Sequence, residues 1–96
     1  MLYYCEYAWN QGTTEQDIDR RLVAQLDGAM SGAQIRGYYE LVGGAAGFLL
    51  VEADDPNAVR GLLLPFSDLV PWDVRAIVER DMATDIAAAK AAAAGG

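Results

Sequence analysis

The sequence predicts an α+β domain whose elements run β-α-β-β-α-β, with its strands in one four-stranded antiparallel sheet. Three observations carry that reading. Runs at 2–9, 35–42 and 47–52 are rich in aromatic and β-branched residues, and a further run from Trp72 to Glu79 alternates apolar with other residues. Between them, stretches near 13–28 and 55–64 repeat apolar residues at helical spacing. Gly43 and Gly44 join the second and third strands closely enough for a hairpin.

Taken in order, "LYYCEYAW" opens the chain as a strand and Asn10-Gln11-Gly12 turns it. Thr13 with Gln16 fits a capping box, Glu15 and Asp17 suit the positive end of a helix, and Ile18, Leu22, Val23 and Leu26 lie on one helical face. Gly28 is placed to close that helix as a left-handed cap, and Met30 to Ala33 is expected as loop. The second strand is read over Ile35–Val42 and the third over Gly47–Glu52. Asp55 can then cap a second helix with Pro56 at its first position. Ala58, Val59, Leu62, Leu63 and Phe66 form its stripe, and Pro65 ends it near Leu64. Pro71 starts the last strand. Right-handed crossovers order the strands 4-1-3-2 with both helices on one face, which is a ferredoxin-like arrangement. Residues 1–80 are read as this domain and 81–96 as an alanine-rich helical tail, with Met82 and Ile86 docking its first turns and fraying expected beyond Ala89 unless another chain covers it.

Composition narrows the function. Fourteen acidic residues against seven basic ones give a net charge of −7, the wrong balance for holding nucleic acid or an anionic membrane. The single Cys5 leaves no intrachain disulfide, and the absence of histidine removes Cys/His zinc sites, His-held haem and imidazole triads. No cofactor and no metal are expected. Lacking an apolar run of about 18 residues or a signal-like N-terminus, the chain reads as cytoplasmic.

The faces of the sheet supply the candidate site. Val74, Ala76 and Val78 are expected under the helices, with Tyr3, Cys5, Tyr7, Leu49, Val51, Ile35, Tyr39 and Leu41. The opposite, open face then carries Tyr4, Glu6, Arg36, Tyr38, Glu40, Val42, Phe48, Leu50, Glu52, Asp73, Arg75 and Ile77. Glu6 lies in an otherwise apolar strand, where an unpaired buried carboxylate would cost several kcal/mol. Placed on the open face, it finds its expected partner in Arg75. Tyr4, Tyr38, Val42, Phe48, Leu50 and Ile77 make an apolar patch larger than a monomer usually exposes, so a homodimer through stacked sheets is expected. Stacking can also enclose a small-molecule cavity closed by Glu6, Glu40 and Arg75.

"MLYYCEY", "GTTEQDIDRRLV", "IRGYYELVGGAAGFLLVEADDP" and "FSDLVPWDVRAIVE" together resemble small bacterial domains of unknown function in the dimeric α/β-barrel, ferredoxin-like superfamily, over roughly residues 1–80. The resemblance implies the fold and dimerisation. Several enzymes of that superfamily use a histidine that this chain lacks, so their chemistry does not transfer.

Other signals have plainer explanations. "GGAAG" leads into a strand without a following Lys-Ser/Thr, so it is a turn and not a phosphate loop. Cys5 reads as a buried structural thiol, and Asp54-Asp55 as a helix cap. Trp9 and Trp72 are expected near strand ends, at the rim of a pocket. The leading expectation is a non-catalytic homodimeric module that binds a small ligand or serves in assembly, with the C-terminal helix as an arm for a further protein partner. The alternative is a cofactor-independent isomerase, cyclase or oxygenase acting on a hydrophobic substrate. In it Glu6 or Glu40 is the base, Tyr4 or Tyr38 the hydrogen-bond donor and Arg75 the anion clamp.

Overall fold

A computed structural model describes residues 1–26 and 32–95. The expected Gly28 cap and most of the loop after it lie outside the described residues. The elements are β1 (Leu2–Ala8), α1 (Glu15–Leu26), β2 (Ala33–Glu40), β3 (Ala46–Ala53), α2 (Pro56–Leu63), a 3-10 turn (Leu64–Phe66), β4 (Trp72–Ile77) and α3 (Met82–Gly95). All strand pairs are antiparallel, in the order β2-β3-β1-β4, which is the expected order read from the other edge.

Local chemistry sets the helix starts. The capping box forms, but one residue later than the sequence suggests. Thr14 Oγ1 accepts from the Asp17 amide at 3.1 Å while Asp17 accepts from the Thr14 amide at 3.0 Å. Thr13 is drawn away because its hydroxyl donates to the Leu69 carbonyl at 2.9 Å. Asp55 caps α2 through the Ala58 amide at 2.9 Å, with Pro56 in the first turn. Val23, expected on the buried face of α1, is 65% exposed, and Ile18 makes that helix's buried contact.

The core lies on the face of the sheet that carries Tyr3, Cys5 and Tyr7. Tyr3, Cys5, Leu49, Val51 and Ala53 pack with Val59, Leu62 and Leu63 of α2. Tyr7 packs with Ile18 of α1 and with Phe66 and Val70. Val51 and Val59 are almost wholly buried, each worth roughly 1.5–3 kcal/mol of transfer free energy. Arg21 fastens α1 to the segment after α2: its guanidinium donates to the Pro65 carbonyl and pairs with Asp68.

β4 is shorter than expected, ending at Ile77. Val74 pairs with Cys5 and so shares the core face, yet it is 42% exposed, and Val78 beyond the strand is exposed as well. At an edge strand the correct phase does not guarantee cover. Met82 and Ile86 do not dock on the core; no residue of α3 is buried.

Candidate functional site

The open face of the sheet is organised by the register of β1. Tyr4 lies between Leu50 on β3 and Arg75 on β4, and Glu6 lies between Phe48 and Asp73. Aromatic rings form a row across three strands. Tyr4 and Phe48 have centroids 4.9 Å apart, and Phe48 stacks on Tyr39 at 4.8 Å with a 24° interplanar angle. A groove of about 360 Å³ runs beside this row, lined by Tyr4, Glu6, Leu41, Phe48, Trp72 and Asp73 among others.

The expected Glu6–Arg75 pair does not form. Register sets Arg75 opposite Tyr4, and its Nη2 bonds Asp73 two residues back on its own strand at 3.0 Å. Glu6 instead accepts from the Tyr4 hydroxyl at 3.2 Å and faces the Asp73 carboxylate across the strand pair. Partial burial raises the Tyr4 pKa, and the bond to Glu6 raises it further. Exposure explains how Glu6 is tolerated: the residue is on the surface, not in the core.

Tyr38 and Glu40 are not on this face. An irregularity between Ile35 and Gly37 adds one residue to β2, so Tyr38 pairs with Leu49, Tyr39 with Phe48 and Glu40 with Gly47. The bulge reverses the alternation beyond it, which moves Tyr38 towards Tyr7 and brings Tyr39 out. Strict alternation therefore chose the wrong tyrosine. A glycine inside a strand-like run, Gly37, was the signal that could have marked the bulge. Val42 falls in the turn after β2 with its side chain fully exposed. Of the expected patch, Tyr4, Phe48, Leu50 and Ile77 share one face by register.

A second concavity, missed in the sequence reading, lies on the core face of the sheet and is partly open to solvent. It measures about 100 Å³ and is lined by Tyr7, Trp9, Leu22, Tyr38, Phe66 and Trp72 together with aliphatic residues. Trp9 and Trp72, expected at a pocket rim, both line it. The Tyr7 hydroxyl donates to the Tyr39 carbonyl at 3.4 Å, and burial, with Tyr38 nearby, pushes its pKa well above the usual phenol range. The Trp72 Nε1–H is buried and, among the described residues, has no partner. Among the described residues no carboxylate lines this cavity, so its chemistry is that of apolar contact, and Trp72, whose Nε1–H is buried, is one of its lining residues.

Cys5 is fully buried, and burial holds its thiol up at about 11, so it is a protonated core side chain. Among the described residues no three His, Cys, Asp or Glu side chains form a group that could hold a metal, and no helix is long and apolar enough to cross a membrane.

Fold and site together define a small α+β domain with a partly exposed aromatic sheet face. Residues 1–91 match the family described as a domain of unknown function, DUF3303, and the chain belongs to that family. The match takes in most of α3. A search of curated proteins finds no match.

Proposed function

We propose that this chain is a non-catalytic, homodimerising module with ferredoxin-like topology, whose two sheets stack through their open faces. The observation that carries the reading is the Tyr4–Phe48–Tyr39 row, a continuous aromatic surface with groove space beside it. Both core clusters draw on β1 side chains of one parity, which supports two helices on the opposite face. Tyr4, Tyr39, Phe48, Leu50 and Ile77 form the contact. Sedimentation equilibrium tests it, with Phe48→Asp as the disrupting variant.

The core cavity supports small-ligand binding as the task of each subunit. A dry apolar cavity of about 150 Å³ can take benzene, and this pocket, at about 100 Å³ and partly open, is of similar scale, with Trp72, whose indole N–H has no partner among the described residues, in its lining. A small apolar molecule with one hydrogen-bond acceptor fits that chemistry. Titrating a small ketone such as cyclopentanone should shift the Trp72 Nε1–H resonance; an unmoved resonance at saturating ketone rejects this ligand class.

The enzymatic alternative rests on one contact, the Tyr4 hydroxyl on Glu6 inside the open-face groove. In that reading Glu6 is the base and Tyr4 the donor, while Tyr38 and Glu40 have no part because they point away. Arg75 is engaged by Asp73, which weakens its candidacy as an anion clamp.

A further inference from the structure

The groove on the open face holds more negative charge than its own residues balance. Glu6 on β1 stands directly opposite Asp73 on β4, and both are exposed in the groove lining. Like charges set across an antiparallel pair, with β-carbons about 5 Å apart, repel and weaken the pairing. One guanidinium meets them: Arg75 bonds Asp73 at 3.0 Å. Among the described residues Glu6 has the neutral Tyr4 hydroxyl as its partner and no cation. Arg36, on the same face, is already held by Glu52 at 2.8 Å. Arg20 and Arg60 belong to α1 and α2, whose buried residues pack on the other face. One carboxylate charge is therefore left over.

The other side chains of the groove say what kind of cation would restore the balance. Tyr4 and Phe48 stand ring against ring at 4.9 Å, and Pro71 and Trp72 continue the lining. Aromatic faces attract a cation and also cover an apolar group attached to it. A hard divalent metal ion asks instead for six or more oxygen ligands, and no group of three His, Cys, Asp or Glu occurs among the described residues. An ammonium brings three donors, enough to reach both carboxylates, whereas a quaternary amine brings none. The groove, about 360 Å³, has room for a small ring beside the charge.

We propose that the open-face groove binds a small primary amine in its protonated form, with the ammonium between Glu6 and Asp73 and the apolar part along Tyr4 and Phe48. The net charge of −7 favours the approach of such a ligand over an anion. All the residues involved belong to one chain, so the site stands whether or not two sheets stack. It also differs in kind from the pocket on the core face: that pocket takes a neutral molecule, and this groove takes a charged one.

The test titrates the intact protein with benzylamine, protonated at neutral pH, and follows NMR shifts, with benzyl alcohol as the neutral isostere. Saturable shifts at Glu6, Phe48 and Asp73 are expected, with the amine bound about tenfold more tightly than the alcohol, the scale of one charge-assisted hydrogen bond. Glu6→Gln, a surface substitution, should remove most of that preference. Arg75→Gln frees Asp73 and should tighten the amine further. Equal binding of amine and alcohol, a preference that survives Glu6→Gln, or weaker binding in Arg75→Gln would overturn the proposal. So would shifts confined to another acidic stretch such as Asp54-Asp55. Ile77→Asp lies on the same face but outside the groove lining, and it opens a groove that stacking has closed. If neither the parent nor this variant shows a saturable shift, the groove is not an amine site. Sedimentation of both proteins judges the stacked-sheet reading separately.

Discussion

Gly47 on β3 lies directly across from Tyr7 on β1, and the Tyr7 hydroxyl occupies the space that a side chain at 47 would need. A β-carbon there would stand 2.7 Å from that oxygen and 2.0 Å from the Tyr39 carbonyl oxygen. The same hydroxyl donates to that carbonyl, so the missing side chain, the buried phenol and the β2–β3 pairing form one arrangement at the wall of the core cavity. The backbone at Tyr39 cannot yield without disturbing the hairpin. Gly47→Ala should therefore destabilise the fold by about 2 kcal/mol or more through overpacking, read as a lower urea midpoint. Unchanged stability would mean that the strands separate here at little cost.

The turn beside it offers a gain. Ala45 has φ +63°, a left-handed conformation that costs a residue with a β-carbon roughly 1–2 kcal/mol. Its carbonyl still accepts from the Trp9 amide at 2.8 Å, a contact that glycine preserves. Ala45→Gly should raise stability by about 0.5–1 kcal/mol, after the added freedom of the unfolded chain is set against the relieved strain. A loss of stability in thermal unfolding would reject that balance.

The bulge in β2 separates two adjacent tyrosines by role. Tyr38→Ala trims the outer edge of the cavity beside Tyr7 and should lower monomer stability by about 1 kcal/mol, less than a buried aromatic would cost because its ring is more than half exposed. Tyr39→Ala should chiefly weaken dimerisation, since its ring stacks on Phe48 on the open face. Urea unfolding and sedimentation on both variants separate the effects. Equal behaviour of the two would contradict the register.

Arg21 and Asp68 give the stability a pH signature. The hydrogen-bonded guanidinium lowers the Asp68 pKa, so this contact stabilises the fold above the ordinary Asp value near 3.8 and is lost as pH falls through the depressed value. Asp68→Asn should flatten the fall in Tm below pH 4. It should not abolish it, because Asp17, lowered by its bonds to Thr14, and Asp81, lowered by Thr84, titrate in the same sense. An unaltered acid profile would show that the pair contributes nothing measurable.

Strand order, the burial of Tyr3, Cys5 and Tyr7, and the Asp55-Pro56 helix start were legible because each follows from local pattern: aromatic alternation in β1 and capping chemistry before α2. The second strand misled for an equally definite reason. One inserted residue reversed its faces, and nothing in an alternation rule counts insertions. Glu6 was correctly kept out of the core, but its partner was not legible, since Arg75 could reach a carboxylate on its own strand. The core cavity depends on how Leu22, Phe66 and Trp72 from separate elements fail to fill a shared space, which no single stretch of sequence encodes.

The central claim is that two chains meet through the Tyr4–Phe48–Tyr39 face. Sedimentation equilibrium of the intact protein and of Phe48→Asp at micromolar concentration tests it most directly. A dimer through this face sediments at twice the 10.3 kDa chain mass, and the variant as a folded monomer. A parent protein that sediments as a clean monomer, or a variant that remains as dimeric as the parent, would contradict it.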